Sequence, residues 1–589
     1  MRIIRWLVLS LLAGWLPMRA AAQVAVLAPT DTTDLVFVKK TDRFRYEKKD
    51  SATELQMLAG NVFLEQGTTK FYCDSAVLDQ KNGIVEAFGN VHINDADSIH
   101  TYSQYLIYYS NKKKAYLKKN VKLTDGKGVL TTNDLEYDTD LKIGIYTNGG
   151  KVVSDKTVLT SREAIYYGDM KDVYFKNEVR MKDPQYDLDT DSLLFNTDTR
   201  IATFITSTHI RADSGRRDIV TSEGYYDLKN KQAKFGKRPL IKDGSTFITG
   251  EDVGFDDVSG ESYARGNAVF RDTAQGISIL ANDLRASKKN NSMLATQRPL
   301  MIIKQKEDSI YVTADTLFSG RLTDMAGYEK TFLKVAAPGG PEIRRDQLKP
   351  AKLPVAEQPL DKLPEEAIAK DSLRKDSLAK DTIIAATVID ATDTTNRNRY
   401  FQAFHRVRIF SDSLQAVCDS LFYSGVDSVF RMFNNPIAWA SGSQVTGDTM
   451  YLFTKNKQPE RIQVFDNALV INRTAEDFYN QLKGNTIHGY FIEGNIDFMR
   501  AKGSAESIYY AQDEDSAYAG VNRSTADIID MFFKNQELSR VVFRSTVEGT
   551  MYPFRQVNHG EMRLRGFKWL DKRRPKTKFE LFEDPIEPE

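Results

Sequence analysis

Gly60-Asn61-Val62-Phe63-Leu64 returns as Gly89-Asn90-Val91-His92-Ile93 and again as Lys119-Asn120-Val121-Lys122-Leu123, with starts 29 and 30 residues apart. Weaker copies follow at Gly150-Lys151-Val152-Val153 and Asn177-Glu178-Val179-Arg180-Met181. A fixed period of this size means that one supersecondary unit is stacked on the next, and this decides the fold. It also moves the functional question from a pocket to an extended surface.

Working outward from each copy, the side chains alternate. Val62 and Leu64 alternate with Phe63 and Glu65, and Val85 and Ala87 with Ile84, Glu86 and Phe88, the period of a strand. Turn signals separate the runs at Gln66-Gly67-Thr68, Lys81-Asn82-Gly83, Asp125-Gly126-Lys127-Gly128 and Asn148-Gly149-Gly150. A second element recurs as Asp134-Leu135-Glu136-Tyr137-Asp138, Glu163-Ala164-Ile165-Tyr166-Tyr167 and Asp191-Ser192-Leu193-Leu194-Phe195. Each unit then reads as about three short strands, which cannot bury a core alone but form a continuous one when stacked. The expected fold is all-β: an elongated open β-jellyroll or solenoid-like stack of short-strand rungs, with a disordered linker and a second, looser β region.

Composition agrees with strands. Aromatic residues make up 11% of the 589, and flat rings pack well on a pleated surface. Lys plus Arg total 81 against 80 Asp plus Glu, so no global positive field draws the chain to nucleic acid. The two cysteines, Cys73 and Cys418, sit in similar contexts, Tyr72-Cys73-Asp74-Ser75 and Val417-Cys418-Asp419-Ser420. Equivalent positions in distant units lie too far apart to bridge, because a disulfide needs Cα atoms within about 7 Å. Both are expected to be small buried residues.

Residues 1–22 read as a cleaved secretory signal: Arg2 and Arg5, an apolar run from Trp6 to Leu16, and Ala20-Ala21-Ala22 before Gln23. Export would place the protein in the periplasm, in association with the outer membrane as one outcome. An irregular segment, 23–53, comes next. Repeats fill 54–334, and a linker rich in proline and charge fills 335–398, with one frayed helix near 363–381. A second β region covers 399–560 and a charged tail 561–589. Short helices are expected at Ala475–Leu482 and Ala526–Asp530 inside the second region.

The search for catalytic residues is mostly negative. None of the six histidines has the i, i+4 metal spacing. His92 and His100 could face each other across strands but lack a third ligand. Asp187-Leu188-Asp189-Thr190-Asp191 resembles the start of a calcium loop, yet Ser192 stands where Gly is needed and Asp198 where a bidentate Glu is needed, so a solvated turn is expected. No phosphate loop, nucleophile elbow or dinucleotide fingerprint is present. No metal, cofactor or enzymatic activity is expected.

What remains is the aliphatic face of the rungs. Val62, Leu64, Val85, Val91, Ile93, Leu106, Leu117, Val121, Leu123, Leu135, Ile143 and Ile145, together with Ala87 and Ala115, are expected on one face. Most must form the core of the stack. If the two sheets do not close, the same residues line an apolar groove. Each buried methylene contributes about 0.8 kcal/mol, so acyl chains would be held while sliding between equivalent rungs.

The recurring Gly-Asn-Val-x-Leu/Ile motif, the Asp-Ser/Asp-Leu strand after it and the export signal resemble the OstA-like family (organic solvent tolerance), which includes LptA-type proteins. The resemblance covers 54–334 well and 399–560 more loosely. It implies an open β-jellyroll that binds lipopolysaccharide, with lipid A acyl chains inside and the head group outside. It also implies partnership with other lipopolysaccharide-transport components through end-to-end strand pairing, a homo-oligomer being one form of this. Two readings stay beside it: a carbohydrate-active β-solenoid, and a purely structural envelope β-solenoid whose core is closed and dry.

Overall fold

Two adjacent residues with positive φ bend each motif strand. Gly60 (φ +84°) and Asn61 (φ +47°), Gly89 (φ +71°) and Asn90 (φ +44°), and Gly266 (φ +69°) and Asn267 (φ +45°) all adopt this conformation. An acidic side chain from earlier in the chain fills the space on the Gly side. A Cβ on Gly60 would lie 2.5 Å from Asp42 Oδ2, one on Gly89 2.3 Å from Asp74 Oδ2, and one on Gly266 2.5 Å from Glu251 Oε2. The neighbouring Asn then donates its side-chain amide to that same carboxyl group: Asn61 to Asp42 at 2.8 Å, Asn90 to Asp74 at 2.9 Å and Asn267 to Glu251 at 2.8 Å. Gly is required because only hydrogen fits there, and Asn because it tolerates positive φ and supplies a donor.

The computed structural model describes residues 35–50, 53–304, 309–325, 398–455, 458–513, 515, 517–535 and 537–583. The expected signal (1–22), the helix near 363–381 and nearly all of the expected linker lie outside them. The described residues hold forty strands, with helical geometry only in single short turns. The chain divides into two compact units, residues 1–155 with 162–171, and residues 156–161 with 172–589.

The first unit opens with β1 (Phe37–Lys40), β2 (Arg43–Lys48), β3 (Glu54–Gln66), β4 (Thr69–Asp79), β5 (Ile84–Asp95), β6 (Ile99–Tyr109), β7 (Lys114–Thr124) and β8 (Val129–Asp138). From β3 to β8 each strand pairs antiparallel with the next along its whole length. The corner is a bulge: from Ala59 to Val62 the chain takes three steps while its partner goes from Ser75 to Cys73 in two. Each long strand therefore has two arms, one on either side of the corner. A 29-residue unit is two bent strands rather than three short ones, and Gly-Asn marks a mid-strand corner rather than the start of a rung. The sequence shows the halves because the corner interrupts the alternation.

Some of the segment expected to be irregular, 23–53, also forms strands: β1 and β2 pair with the second and first arms of β3. Many turns that close a rung use a cation at positive φ instead of Gly. Lys113, Lys142 and Lys171 have φ of 52°, 54° and 59°. An Asx turn stabilises such loops, as where Asp138 Oδ1 accepts from the N–H of Asp140 (3.0 Å) and Leu141 (2.9 Å).

In the second unit the stack runs directly across the expected linker. Thr316–Arg321 and Ser309–Thr313 pair with the two arms of Arg399–Phe410, and Asn398 Nδ2 donates to Thr323 Oγ1 at 3.2 Å. The region after 399 thus continues the rungs before 326 within this unit. Neither expected helix forms: residues 475–478 are a bend leading into the strand Tyr479–Ile492, and Ala526–Asp530 lies within the strand Tyr518–Lys534. Asp187 to Asp191, expected as a turn, lies inside the strand Tyr186–Asn196, where Asp189 pairs with Arg211 across the sheet.

The tail, expected as a charged appendage, is a strap. Residues 554–583 run over the outer face of the second arms. Leu564, 2% exposed, packs with Leu469, Ile471, Tyr479, Ile508, Tyr510 and Val521. Leu570 packs on Val417, Ile437 and Trp439. Three buried glutamines, on alternate strands, hold the strap. Gln481 donates to Met562 O (2.9 Å) and accepts from the Leu564 N–H (2.8 Å); Gln444 donates to Lys568 O and accepts from the Leu570 N–H (both 2.7 Å). Gln415 accepts from Arg574 Nε at 2.8 Å. With both faces covered, the run Ala468-Leu469-Val470-Ile471 is buried throughout rather than alternating.

Two outcomes test this account. Gly89→Ala combines positive φ with a clash and should destabilise the protein by more than the roughly 1–2 kcal/mol of φ strain alone. Gly67→Ala, with positive φ but open space around it, should show only that strain. In chemical denaturation, Gln444→Ala should cost about 1–3 kcal/mol by leaving two strap peptide groups without partners.

Candidate functional site: the inner face and its mouth

Ten of the twelve candidate groove residues share the inner face. Val62, Leu64, Val85, Val91, Ile93, Leu106, Leu117, Val121, Leu123 and Leu135 are each no more than 4% exposed. They come together because register pairs keep one face: Val85 opposes the inner Leu78, and Leu106 lies between the inner Ala87 and Leu117. Ile143 and Ile145 do not join them. Gly144 pairs with the inner Tyr137, so in the strand Ile143–Tyr146 it is Gly144 and Tyr146 that face inward, and the two isoleucines lie half-buried on the opposite face. Alternation revealed the strand but not which parity points in.

The two arms meet at the corner, and hydrogen bonds join their far ends within the first unit. Tyr108, on a first arm, donates to Gln66 Oε1 on a second arm at 2.5 Å, and Gln66 Nε2 reaches Ser110 O at 3.2 Å. One rung on, Tyr137 donates to Asp95 Oδ2 at 2.8 Å while Thr69 donates to Asp95 Oδ1 at 2.9 Å. On the next, Tyr166 donates to Asp125 Oδ2 at 2.8 Å. The partners stand 42, 42 and 41 residues apart in sequence. Burial first, and then the Asp95 and Asp125 charges, push the Tyr137 and Tyr166 phenols far above their ordinary range. The second unit repeats the device: Tyr186 donates to Asp257, which also meets Arg217 at 3.3 Å.

These bridges close the mouth, so the inner face is a packed core. In the second unit, an apolar cavity bordered by Leu188, Phe204, Ile219, Phe235 and their neighbours has room for one water molecule at most. The bridges were missed in the sequence. The signal was present as an inward Tyr near the end of one strand and an acid or amide near the end of another, but nothing local links them.

The remaining candidates are also placed. Cys73 and Cys418 are free and buried, and burial pushes both thiols up to about 12. His92 Nε2 and His100 Nδ1 lie 3.2 Å apart, and among the described residues no third Asp, Glu, His or Cys completes a metal site with them. His92 belongs to an outer-face ring stack with Phe63, Tyr72 and Tyr102. Among the described residues no helix is long and apolar enough to cross a membrane.

The Gly60-Asn61 and Gly89-Asn90 corners lie in a segment that matches a known family. That segment, residues 33–191, matches the model of the family described as OstA-like protein. No curated protein matches the chain. Among solved structures, the chain is similar to LptH from Pseudomonas aeruginosa, described as the LptA-homologous periplasmic component of the lipopolysaccharide transport device. Identity is 21%, over 20% of this chain and 84% of that one, with a TM-score of 0.17.

The bridges have a titration signature. Burial first, and then the nearby Asp95 charge, push the Tyr108 phenol up to about 12. Folding favours its neutral form, so its contribution to stability is full below pH 10 and is lost as the pH rises through 12. Ultraviolet difference titration should find Tyr108 still protonated at pH 11, with ionisation and loss of structure coinciding above it. A Tyr108→Phe difference spectrum assigns the signal.

Proposed function

We propose that this protein is a non-enzymatic periplasmic scaffold of lipopolysaccharide transport to the outer membrane, with lipid A acyl chains seated between the two arms. The observation that carries the reading is the recurring Gly-Asn corner inside the OstA-like segment 33–191, followed each time by aliphatics on one inner face. Equivalent rungs offer equivalent seats, so a chain moves from one to the next with little change in free energy.

The closed mouth sets a condition. Acyl chains reach Val91, Ile93 or Leu123 only when the Tyr–Asp and Tyr–Gln bridges open. Each bridge has a modest net worth, about 0.5–1.5 kcal/mol for a typical hydrogen bond and more for a bond to a charged carboxylate, so a row of them opens stepwise. The opening is lateral, and head groups stay outside it. End-to-end pairing is proposed at β1 and β2, which pair only with β3 among the described residues. Their Phe37, Phe44 and Tyr46 are exposed.

The packed interior favours a second reading, in which the stack is purely structural and stays dry. A photo-crosslinking residue at Val91 or Leu123, in protein taken from its native envelope, separates the two. Crosslinked lipid A species, increased by Tyr137→Phe, support the transport reading. Val91→Glu should then abolish lipid capture while circular dichroism stays unchanged. No crosslinked lipid, with Val91→Glu simply unfolding the protein, supports the structural reading.

A further inference from the structure

The outer face of the first arms near the C-terminal end of the second unit gathers cations and aromatic rings in adjoining rows. The strands concerned are Thr449–Lys455, Gln458–Arg473, Tyr479–Ile492, Asn495–Gln512, Tyr518–Lys534 and Glu537–Arg544. Register places Phe453, Arg461, Tyr490, Phe498, Phe532 and Arg540 in one row across all six. Two neighbouring rows on the same face hold His488, Arg500 and Asp530, and Lys502 and Arg544.

Arginines lie on the rings. The Arg461 guanidinium is 3.9 Å from the centroid of Phe453, that of Arg540 is 4.2 Å from Phe532, and that of Arg500 is 5.5 Å from Phe498. Stacking fixes a guanidinium with its N–H edge available for a bidentate oxyanion contact. Asp530, fully buried, anchors Arg500 at 2.6 Å and Arg544 at 3.2 Å. Among the described residues no carboxylate lies within ion-pair distance of Arg461, Lys502 or Arg540. Some cations elsewhere do meet one, as Lys114 with Glu136 at 2.7 Å and Arg406 with Asp315 at 2.8 Å, while Lys122, Lys176 and Lys242 lie singly over Tyr102, Tyr174 and Phe247. The five cations of this face thus exceed its one paired aspartate by four charges. Burial, and then Arg461, Arg500 and Lys502, hold the His488 imidazole below its ordinary range.

We propose that this face is a docking surface for a phosphate-bearing anionic lipid leaflet. Charge complementarity selects the occupant: the two ring-seated guanidiniums of Arg461 and Arg540 and the Lys502 ammonium, none of them held by a carboxylate, suit an array of phosphates, each held by a forked or point contact, while Arg500 and Arg544, held by Asp530, add to the positive field. The aromatic row beneath them suits the boundary between water and hydrocarbon, where rings and arginine stems share an amphipathic layer. The inference does not rest on the transport reading, since it uses the outside of the sheet and not its interior.

Co-sedimentation of the full chain with vesicles tests it. Equimolar phosphatidylcholine and phosphatidylglycerol vesicles should bind the protein, pure phosphatidylcholine should not, and added salt should release it. Removing three cations in Arg461→Gln/Lys502→Gln/Arg540→Gln should weaken binding about a hundredfold. Circular dichroism and the melting transition check the fold, and Arg406→Gln serves as a control that leaves binding unchanged. Equal binding to both vesicle types, or full binding by the triple variant, overturns the proposal. So does complete competition by millimolar inorganic pyrophosphate without salt dependence, which would mark a discrete phosphate site. Retention on RNA without vesicle binding overturns it in favour of a nucleic-acid surface.

Discussion

The fold depends on one constraint, a pair of positive-φ residues that bends each long strand, and at Gly60, Gly89 and Gly266 an acidic side chain sits where that Gly has no Cβ. Asp74 against Gly89, with Asn90 donating to the same carboxylate, is the clearest case. Such a pair bends a long strand without breaking its ladder, because two positive-φ residues and a bulge absorb the change of direction. Once each strand has two arms, the aliphatics on both face the same interior, and each rung buries the face that the last one offers.

Closure follows from the same geometry. Arms that diverge from a corner expose a polar seam at their far ends, and buried polar groups there need partners. Tyr108, Tyr137 and Tyr166 are long enough to cross that gap and carry a donor at the tip, which Gln66, Asp95 and Asp125 accept. Rows of such bonds hold the interior shut. The C-terminal strap meets the same need on the outer face of the second unit, where buried glutamines satisfy the strap's peptide groups.

Legibility followed range. The period of the motif, the strands around it and ten of the twelve inner aliphatics were readable, because alternation and turn chemistry are local. Ile143 and Ile145 were misplaced by one residue of parity, which a pattern of alternating apolar residues leaves open and the pairing of Gly144 with Tyr137 decides. The apparent helix at Ala475–Leu482 had lost its alternation because a strand covered on both faces need not alternate, and what covers it is a segment that begins some 80 residues later; that at Ala526–Asp530 spans a corner, where the register shift breaks the alternation.

The sequence by itself determined that this chain is a stack of β rungs with Gly-Asn corners and an apolar inner face, since backbone conformation at Gly and Asn and side-chain period are short-range properties. Only the tertiary structure decided whether that face is open. The bridging partners stand 41 or 42 residues apart, and the strap contacts its glutamines across 81 to 159 residues. Such pairs leave no periodic trace of their own: each is one tyrosine, one acid or one glutamine among many, and it becomes a contact only after the arms have been placed opposite each other.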